Sequence, residues 1–325
     1  MVKADYVLQI KGLKTYFYTE IGIVKAVDDV SLAVRESEIL SLVGESGCGK
    51  SQLAFSVLRL TPFPGRTVGG EILFDGEDLL KKSEKEIRAI RGRKIAMVFQ
   101  DPMSSLNPVF NIGFQVGEGV KLHEKLDDQR TDERILELLK KVGIPDPAKR
   151  KKDYPHQFSG GMRQRVMISI ALSCNPQLLI ADEPTTNLDV TVQAQVLELM
   201  KKLREEFKSS ILLITHDFGV AAEFSDRVAV MYAGKIVESS DVRTIFKSPE
   251  HPYTHALLQS IPRPDVRTSY IKSIPGNVPR LINPPPGCRF HPRCEYAKSI
   301  CAEVEPKLIN IGTAREHYVA CHLKS

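Results

Sequence analysis

The sequence predicts an α/β fold, because short apolar runs typical of buried strands alternate with segments that have one apolar helical face. Four runs have the length and composition of strands buried on both faces of a parallel or mixed sheet: 39–43, 94–99, 177–181 and 210–215. Between them, apolar residues recur at helical spacing within 135–142 and 192–207. We therefore expect a sheet covered by helices whose apolar faces point into the core.

The composition excludes several classes of protein. The chain has 325 residues, of which 42% are hydrophobic and 26% charged, so it is neither a disordered chain nor a fibrous repeat nor a disulfide-rich miniprotein. No run reaches the roughly 18 consecutive apolar residues of a membrane-spanning helix, and the first residues lack the apolar segment of a secretory signal. We expect a cytoplasmic protein that reaches a membrane only through a partner.

The distribution of charge and proline predicts two domains, 1–242 and 243–325. Residues 243–325 carry a net charge of +6, 11 of the 20 prolines and four of the six cysteines, whereas residues 1–242 carry a net charge of −1. This shift indicates a regular body followed by a loop-rich C-terminal extension. The basic residues of the extension are spread without a run, so we expect no nucleic-acid partner.

A phosphate-binding loop follows the first of the four apolar runs. The segment Gly44–Ser51 fits the pattern G-x-x-x-x-G-K-[ST] at every fixed position, between a strand and a helix. Its glycines let backbone N–H groups face phosphate oxygens, Lys50 supplies a positive charge, and Ser51 supplies a hydroxyl ligand for Mg²⁺. The chain should therefore bind a nucleoside triphosphate, through Gly44, Ser46, Gly47, Cys48, Gly49, Lys50, Ser51 and Gln52.

Polar residues at the ends of three other apolar runs have the chemistry of hydrolysis. Asp182 can bind Mg²⁺ at the end of its strand, and Glu183 can accept a proton from the attacking water. Gln100 could reach Mg²⁺ or the water, and His216 could hold the γ-phosphate or orient the water. Each could alternatively be a solvated strand end, but the phosphate loop in the same chain favours a catalytic interpretation.

A second anion cradle lies further along the chain. Ser159, Gly160 and Gly161 open an apolar helix, with Ser159 in the position of an N-cap. A chain with one phosphate loop and one additional cradle suggests that each cradle serves the nucleotide of a neighbouring subunit.

In this order and at this spacing, the motifs resemble the ATPase subunit of an ABC transporter. The resemblance covers roughly residues 5–240 and comprises Walker A (44–51), the Q-loop Gln100, the signature (159–163), Walker B (Asp182 with Glu183), the D-loop (187–189) and the H-loop His216. It implies a P-loop ABC-type nucleotide-binding domain. Such a domain has a RecA-like core, an antiparallel β subdomain and a helical subdomain, here at about 101–175.

The resemblance also implies partners and ligands. Two such subunits, identical or related, close head to tail on ATP and Mg²⁺, so that Ser159, Gly160, Gly161 and Asp189 would meet the partner's nucleotide. An aromatic residue stacks on adenine in the family, and here Phe17 is the choice, with Tyr16 as its rival. The helical subdomain meets an integral-membrane permease, which places the ATPase at the cytoplasmic face of the membrane. Met162 replaces the usual Gln of the signature.

The C-terminal extension resembles that of dipeptide and oligopeptide importers, on the segments 248–257 and 287–294. Some nickel importers share it, so a nickel importer is an alternative. Membership in this group implies an extracytoplasmic solute-binding protein as an indirect partner. The triplet His251-Pro252-Tyr253 predicts a turn into a short helix, without a catalytic role.

Four cysteines of the extension predict a metal site. Cys288, Cys294, Cys301 and Cys321 stand at C-x5-C-x6-C-x19-C spacing in a segment without an apolar core of its own. Disulfides are rare in a reducing cytoplasm. The spacings favour a [4Fe–4S] cluster, with zinc and free thiols as alternatives. Arg289 and Arg293 would offset the thiolate charge, whereas Cys48 and Cys174 should not bind metal. Because the nucleotide motifs end at His216, we expect hydrolysis to survive loss of the metal.

Two other functions fit the ATPase motifs less well. A soluble ABC-type ATPase of DNA maintenance would need a long coiled coil between Walker A and the signature, and the 107 residues between Ser51 and Ser159 leave no room for one. An ABC-type scaffold that assists iron–sulfur assembly would bind a cluster transiently and would have no permease partner.

Overall fold

The computed structural model describes residues 6–186, 188–261, 274–313 and 315–324. Within them the strands are β1 (Tyr6–Thr19), β2 (Gly22–Arg35), β3 (Ile39–Val43), β4 (Gly65–Phe74), β5 (Glu77–Asp78), β6 (Ile95–Val98), β7 (Leu178–Asp182), β8 (Ser210–Thr215), β9 (Arg227–Tyr232), β10 (Lys235–Asp241), β11 (Ile309–Asn310) and β12 (His317–Val319). The α-helices are α1 (Lys50–Val57), α2 (Glu84–Ile90), α3 (Pro102–Ser105), α4 (Ile112–Glu124), α5 (Asp128–Lys141), α6 (Pro147–Arg150), α7 (Gly160–Ala171), α8 (Val190–Phe207), α9 (Phe218–Phe224), α10 (Val242–Lys247), α11 (Pro252–Gln259) and α12 (Ser299–Glu303).

The chain divides into two compact units. The first contains Val34–Glu38 and Lys81–Ile214, together with the start of β1. The second contains Leu8–Ala33, Ile39–Leu80 and everything from Thr215 onward. Neither unit corresponds to residues 1–242 or 243–325. The division into two domains at residue 242 therefore stays a prediction.

The first unit combines parallel strands with helices. Strands β6, β7 and β8 pair in parallel and in that order, and every residue of β7 and β8 is buried. Each of these strands was predicted from an apolar run, and its observed bounds differ from the prediction by at most one residue. Helices α3–α7 occupy the segment predicted to be helical. Cys174 lies in the turn after α7 and not in a helix, since α7 ends at Ala171.

The helices of the first unit follow the predicted apolar periodicity. In α5, Ile135, Leu138 and Leu139 are buried as expected. In α8, the buried positions are Val196, Met200 and Leu203, which all lie within the predicted helical segment 192–207. Positions i, i+4 and i+7 lie along one face of a helix, which accounts for this set.

The second unit contains two β-sheets. One has the order β2-β1-β4-β5, and its β1–β4 and β4–β5 pairs are antiparallel. In the other, β3 pairs in parallel with β9, after which β10, β12 and β11 follow in antiparallel pairs. Because β12 and β11 belong to the extension, the extension adds strands to the sheet that contains β3, the strand before the phosphate loop.

The extension also shares its apolar core with that sheet. Val43, Val230, Tyr232, Tyr253 and Phe290 belong to one cluster of buried side chains. The ring of Tyr232 lies 4.5 Å from that of Tyr253 and 5.2 Å from that of Phe290, measured between centroids. Buried aromatic side chains of the extension therefore pack into the core beside β3.

A buried carboxylate on β10 binds two separate parts of the extension. Glu238 is fully buried and accepts hydrogen bonds from the backbone N–H groups of Glu250 (2.8 Å) and His251 (3.0 Å), and from Nε2 of His317 (2.8 Å). Burial raises the pKa of Glu238, but these hydrogen bonds outweigh it, so the net pKa lies below the usual value. His251 caps α11 by accepting a hydrogen bond on Nδ1 from the N–H of Tyr253 (3.0 Å), as the predicted turn into a helix requires.

We expect the fold to lose stability as the pH falls from about 6.5 to about 4, because of His251. Burial lowers its pKa to about 4, although Glu238 opposes the shift. The unfolded chain therefore binds a proton at a higher pH than the folded one, and a difference of about 2.5 pKa units corresponds to about 3 kcal/mol. Thermal unfolding followed across this pH range measures the loss.

The matched control is His251→Asn, since Asn accepts the same cap hydrogen bond but does not titrate. The variant should show a flatter pH dependence between 6.5 and 4. Below about pH 4.5, the ordinary pKa of a glutamate, protonation of Glu238 should destabilise both proteins to the same extent. An equally steep loss in the variant between pH 6.5 and 4 would show that His251 is not the responsible group.

Candidate functional site

The phosphate loop joins a buried strand to a helix. It leaves β3 at Val43, and α1 begins at Lys50, directly after Gly49. Gly49 has a φ of 110°, and a Cβ there would overlap the carbonyl oxygen of Ala26. Only glycine fits both this backbone conformation and this close approach. The observed geometry suits a loop whose backbone wraps around a phosphate group.

Lys50 lies inside this loop. It is 5% exposed, and its Nζ donates hydrogen bonds to the carbonyl oxygens of Gly44 (2.8 Å) and Glu45 (3.1 Å). Cys48 is fully buried with its Sγ 3.9 Å from this ammonium, and burial raises the pKa of the thiol. Ser46 and Gly47 are exposed at the tip of the loop. The loop therefore holds a preorganised cation within a ring of backbone, which is the chemistry that binds a triphosphate.

The two adjacent carboxylates differ in their backbone. Asp182 ends β7 and is 3% exposed, whereas Glu183 has a φ of 45°, in the left-handed region that non-glycine residues seldom adopt. The N–H of Glu183 donates to the carbonyl oxygen of Ile214 (2.9 Å). This backbone turn directs the Glu183 carboxylate away from the path of the strand, and such strained residues are frequent at active sites.

Two side chains hold the Glu183 carboxylate. Nε2 of Gln100 donates to its Oε2 at 3.0 Å, and Oγ1 of Thr186 donates to the same oxygen at 2.9 Å. The structure thus brings together Gln100 and Glu183, which were predicted as functional residues from separate strands. Thr186 was missed; its hydroxyl, three residues after Glu183 in the same turn, was the available signal.

The signature segment forms the expected helix start. Ser159 caps α7 by accepting a hydrogen bond from the N–H of Met162 (3.3 Å), and both Ser159 and Gly160 are exposed. A Cβ at Gly161 would lie 2.7 Å from Cγ1 of Val192 on α8. Packing between α7 and α8 therefore requires glycine at this position, and the helix start remains open at Ser159.

The remaining predicted residues lie at a helix cap, after a strand and within β1. Asp189 caps α8 by accepting from the N–H of Val192 (2.9 Å), and Asn187 of the D-loop lies outside the described residues. His216 is exposed directly after β8. Tyr16 donates its hydroxyl to Oδ1 of Asp28 (2.5 Å), whereas the ring of Phe17 lies against Gly65.

The four cysteines of the extension lie close enough to influence one another. Burial raises the pKa of Cys288 to about 11, and the other three thiols add to the shift. The N–H of Cys288 donates to the carbonyl oxygen of Cys301 (2.8 Å). The N–H of Lys298 donates to Sγ of Cys301 (3.5 Å). Over the residues that the structure describes, no three His, Cys, Asp or Glu side chains are arranged as a metal site.

Both arginines of this segment have partners other than the thiols. Arg289 pairs with Asp28 and also donates to the carbonyl oxygen of Ala233. Arg293 pairs with Glu45 of the phosphate loop. The expectation that these two guanidinium groups offset thiolate charge is therefore incomplete, because each of them pairs directly with a carboxylate.

Comparisons with known proteins agree with the motifs. A family model described as ABC transporter matches residues 27–186, and one described as oligopeptide/dipeptide transporter, C-terminal region, matches residues 237–301. A probable peptide ABC transporter ATP-binding protein of Sinorhizobium fredii is 49% identical, over 98% of this chain and 95% of that protein. This chain belongs to the ATP-binding subunits of ABC transporters.

Other relatives of this ABC subunit have similar names and lengths. The dipeptide transport ATP-binding protein DppD of Bacillus subtilis is 49% identical over 93% of this chain and 90% of its own length. The oligopeptide transport ATP-binding protein OppD of the same organism is 49% identical over 98% and 89%. The ATP-binding cassette MJ0796, solved as a dimer with ADP and phosphate, is 28% identical, with a TM-score of 0.66 over 73% of this chain and 99% of its own.

In the part of the chain that the structure describes, no helix has the length and apolar character needed to cross a membrane.

We expect Glu183→Gln to retain ATP binding but to lower steady-state hydrolysis by about two to four orders of magnitude, since general-base catalysis contributes a factor of about this size. The phosphate loop, Lys50 and Ser51 remain intact in this variant. Binding is measured with a fluorescent ATP analogue, and turnover by phosphate release. A turnover near that of the wild type would remove Glu183 from the mechanism.

Proposed function

We propose that this subunit binds and hydrolyses ATP to power the import of dipeptides or oligopeptides through a membrane permease. The Gln100–Glu183 hydrogen bond is the observation that best supports ATP hydrolysis by this subunit. It brings the Gln100 amide into contact with the carboxylate that would accept a proton from the attacking water. The transport part is supported by the peptide-transport names of the relatives and by the match at residues 237–301.

Each predicted residue has a distinct part in the proposed reaction. Lys50 and the loop N–H groups bind the phosphates, while Ser51, Gln100 and Asp182 would provide oxygen ligands for Mg²⁺, which prefers oxygen. Glu183 accepts a proton as water attacks the γ-phosphate, and His216 orients that water or the phosphate. Phe17, with Tyr16 as the rival, stacks on adenine.

We propose that the active form is a head-to-tail dimer with a second ABC ATPase subunit, identical or related. The cap of α7 supports this, since Ser159 and Gly160 are exposed at the positive end of a helix. The γ-phosphate of the partner's ATP is an anion that such an end would stabilise. Asp189, at the start of α8, would lie at the same interface.

A groove in the helical segment is the proposed contact with the permease. It has a volume of about 650 Å³ and is lined by Phe114, Gly117, Leu122 and Ile135, among others. Phe114 is 53% exposed and Leu122 is 69% exposed. A short cytoplasmic helix of the permease would cover these apolar side chains. The subunit would then lie at the cytoplasmic face of the membrane, and an extracytoplasmic binding protein would deliver the solute to the permease.

The test of transport is a reconstituted complex. The subunit, its permease and its partner ATPase are placed in lipid vesicles with ATP on the side of the ATPases and a solute-binding protein on the other. We expect ATP-dependent uptake of a labelled dipeptide or oligopeptide, and its loss with Glu183→Gln. Uptake of nickel ions without uptake of peptides would favour the alternative assignment.

We further propose that Cys288, Cys294, Cys301 and Cys321 hold a metal centre, preferably a [4Fe–4S] cluster and alternatively zinc. The support is the placement of the four cysteines in one short segment, the backbone hydrogen bond between Cys288 and Cys301, and the N–H donated to Sγ of Cys301, since hydrogen bonds to cysteine sulfur tune such centres. A cluster would also replace apolar packing around a proline-rich segment, because metal binding contributes folding free energy.

We expect protein purified without oxygen to be brown and to contain about four iron atoms and matching sulfide per chain. Cys→Ser changes at 288, 294, 301 or 321 should bleach the colour, whereas Cys174→Ser, elsewhere in the chain, is the matched control. Metal analysis with absorption spectroscopy measures both. Colourless anaerobic protein with about one zinc per chain would support the alternative, and protein with neither metal would leave free thiols.

A further inference from the structure

The extension reaches the phosphate loop through two side chains. The N–H of Glu45, the second residue of the loop, donates to the hydroxyl of Tyr253 at 3.0 Å. The carboxylate of Glu45 accepts hydrogen bonds from both terminal nitrogens of Arg293, with Nη1 2.8 Å from Oε2 and Nη2 3.0 Å from Oε1. One residue of the loop is therefore held at its backbone and at its side chain by residues more than 200 positions later in the chain.

The Arg293 guanidinium is itself fixed. Its side chain is 6% exposed, and its Nε donates to the carbonyl oxygen of Pro275 at 2.8 Å. Its Nη1 also lies 3.3 Å from the hydroxyl of Tyr232, whose ring centroid is 5.8 Å away. Two-pronged pairing with a carboxylate is strong and directional, and poor access to water strengthens it. Glu45 thus binds to a rigid partner.

Glu45 in turn positions the phosphate-binding lysine. Its carbonyl oxygen accepts a hydrogen bond from Nζ of Lys50 (3.1 Å) and one from the N–H of Cys48 (3.3 Å). A change in the orientation of Glu45 would move both of these groups. A continuous series of contacts therefore connects Arg293 to the ammonium group that binds the β/γ-phosphates.

The position of Arg293 depends on the cysteine segment. It ends the short 3-10 turn His291–Arg293, directly before Cys294. Arg289, directly after Cys288, pairs with Asp28, and the other carboxylate oxygen of Asp28 accepts the hydroxyl of Tyr16. Two arginines adjacent to cysteines thus pair with carboxylates in the phosphate loop and on β2, and the β2 carboxylate also binds Tyr16 on β1.

We propose that Arg293 and Tyr253 are positioning residues of the nucleotide site, which hold the Walker A loop in its ATP-binding shape through Glu45. The proposal deepens the proposed ATPase function and needs neither transport nor a metal. It adds two residues after His216 to the nucleotide site, whereas the sequence motifs end at His216. Loss of the cysteine segment should then weaken ATP binding.

The test measures ATP affinity and hydrolysis in the full chain. The variants are Arg293→Gln, Glu45→Gln, their combination and Tyr253→Phe, with Arg280→Gln, an exposed arginine of the same extension, as the matched control. We expect each single change at Arg293 or Glu45 to raise the Kd for ATP about tenfold, as for loss of a charged hydrogen bond. The double variant should have a Kd for ATP no higher than that of the more severe single variant, because both changes remove the same Arg293–Glu45 ion pair.

If Arg293 and Glu45 position the loop, their variants should change KM and kcat for ATP differently from a variant that only destabilises the fold. Bound phosphate can restore the shape of the loop at a cost in affinity, so KM for ATP should rise about tenfold while kcat changes less than about threefold. Arg293→Lys should recover little of the affinity, since Lys lacks the two-pronged geometry. Arg280→Gln should leave both constants at wild-type values.

Three outcomes would overturn the proposal. The first is a Kd within twofold of the wild type in both Glu45→Gln and Tyr253→Phe. The second is additive effects of Arg293→Gln and Glu45→Gln, and the third is full recovery in Arg293→Lys. If Arg293→Gln fails to fold, Glu45→Gln and Tyr253→Phe decide, because the first leaves the arginine in place and the second removes one hydroxyl. The assays need no permease, so a failure of peptide transport would leave their result unaffected.

Discussion

A loop that binds a triphosphate must hold a cation and inward-facing N–H groups together before the anion arrives. In this protein, contacts with the surrounding residues hold the loop in that arrangement. Electrostatic sites act best when their dipoles are already oriented. Here a glycine fits against the Ala26 carbonyl, Lys50 donates to two carbonyl oxygens of its own loop, and the ion pair at Glu45 holds the start of the loop. The core beside β3 keeps these parts in place.

Much of the fold could be predicted because it depends on local pattern. The strands before Gly44, Gln100, Asp182 and His216 are continuous apolar runs, and burial on both faces leaves no other structure for them. The same holds for the caps at Ser159 and His251, where a side chain that accepts a hydrogen bond precedes a helix. In each case the residue type and its neighbours within a few positions determine the structure.

Long-range pairing could not be predicted in the same way. Nothing near Arg293 in the sequence indicates Glu45, and nothing near Arg289 indicates Asp28, because these partners are separated by more than 240 residues. The backbone of Glu183 was equally inaccessible, since a left-handed glutamate depends on its surroundings and not on propensity. Thr186 belongs to the same turn, and only the folded position of the Glu183 carboxylate reveals its contact.

The pairing of β12 with β10 affects how the protein is made. Ribosomes release the N-terminal part of a chain first, and domains generally begin to fold as they emerge. In this protein, strand β3 and the phosphate loop are synthesised long before Tyr253, Phe290 and β12, which belong to the same core and the same sheet. A nascent chain that has reached only β10 would therefore expose the apolar surface beside β3 and would lack the tyrosine that contacts the phosphate loop. Synthesis through β12 covers this surface, so the phosphate loop reaches its final surroundings only after the C-terminal extension has been made.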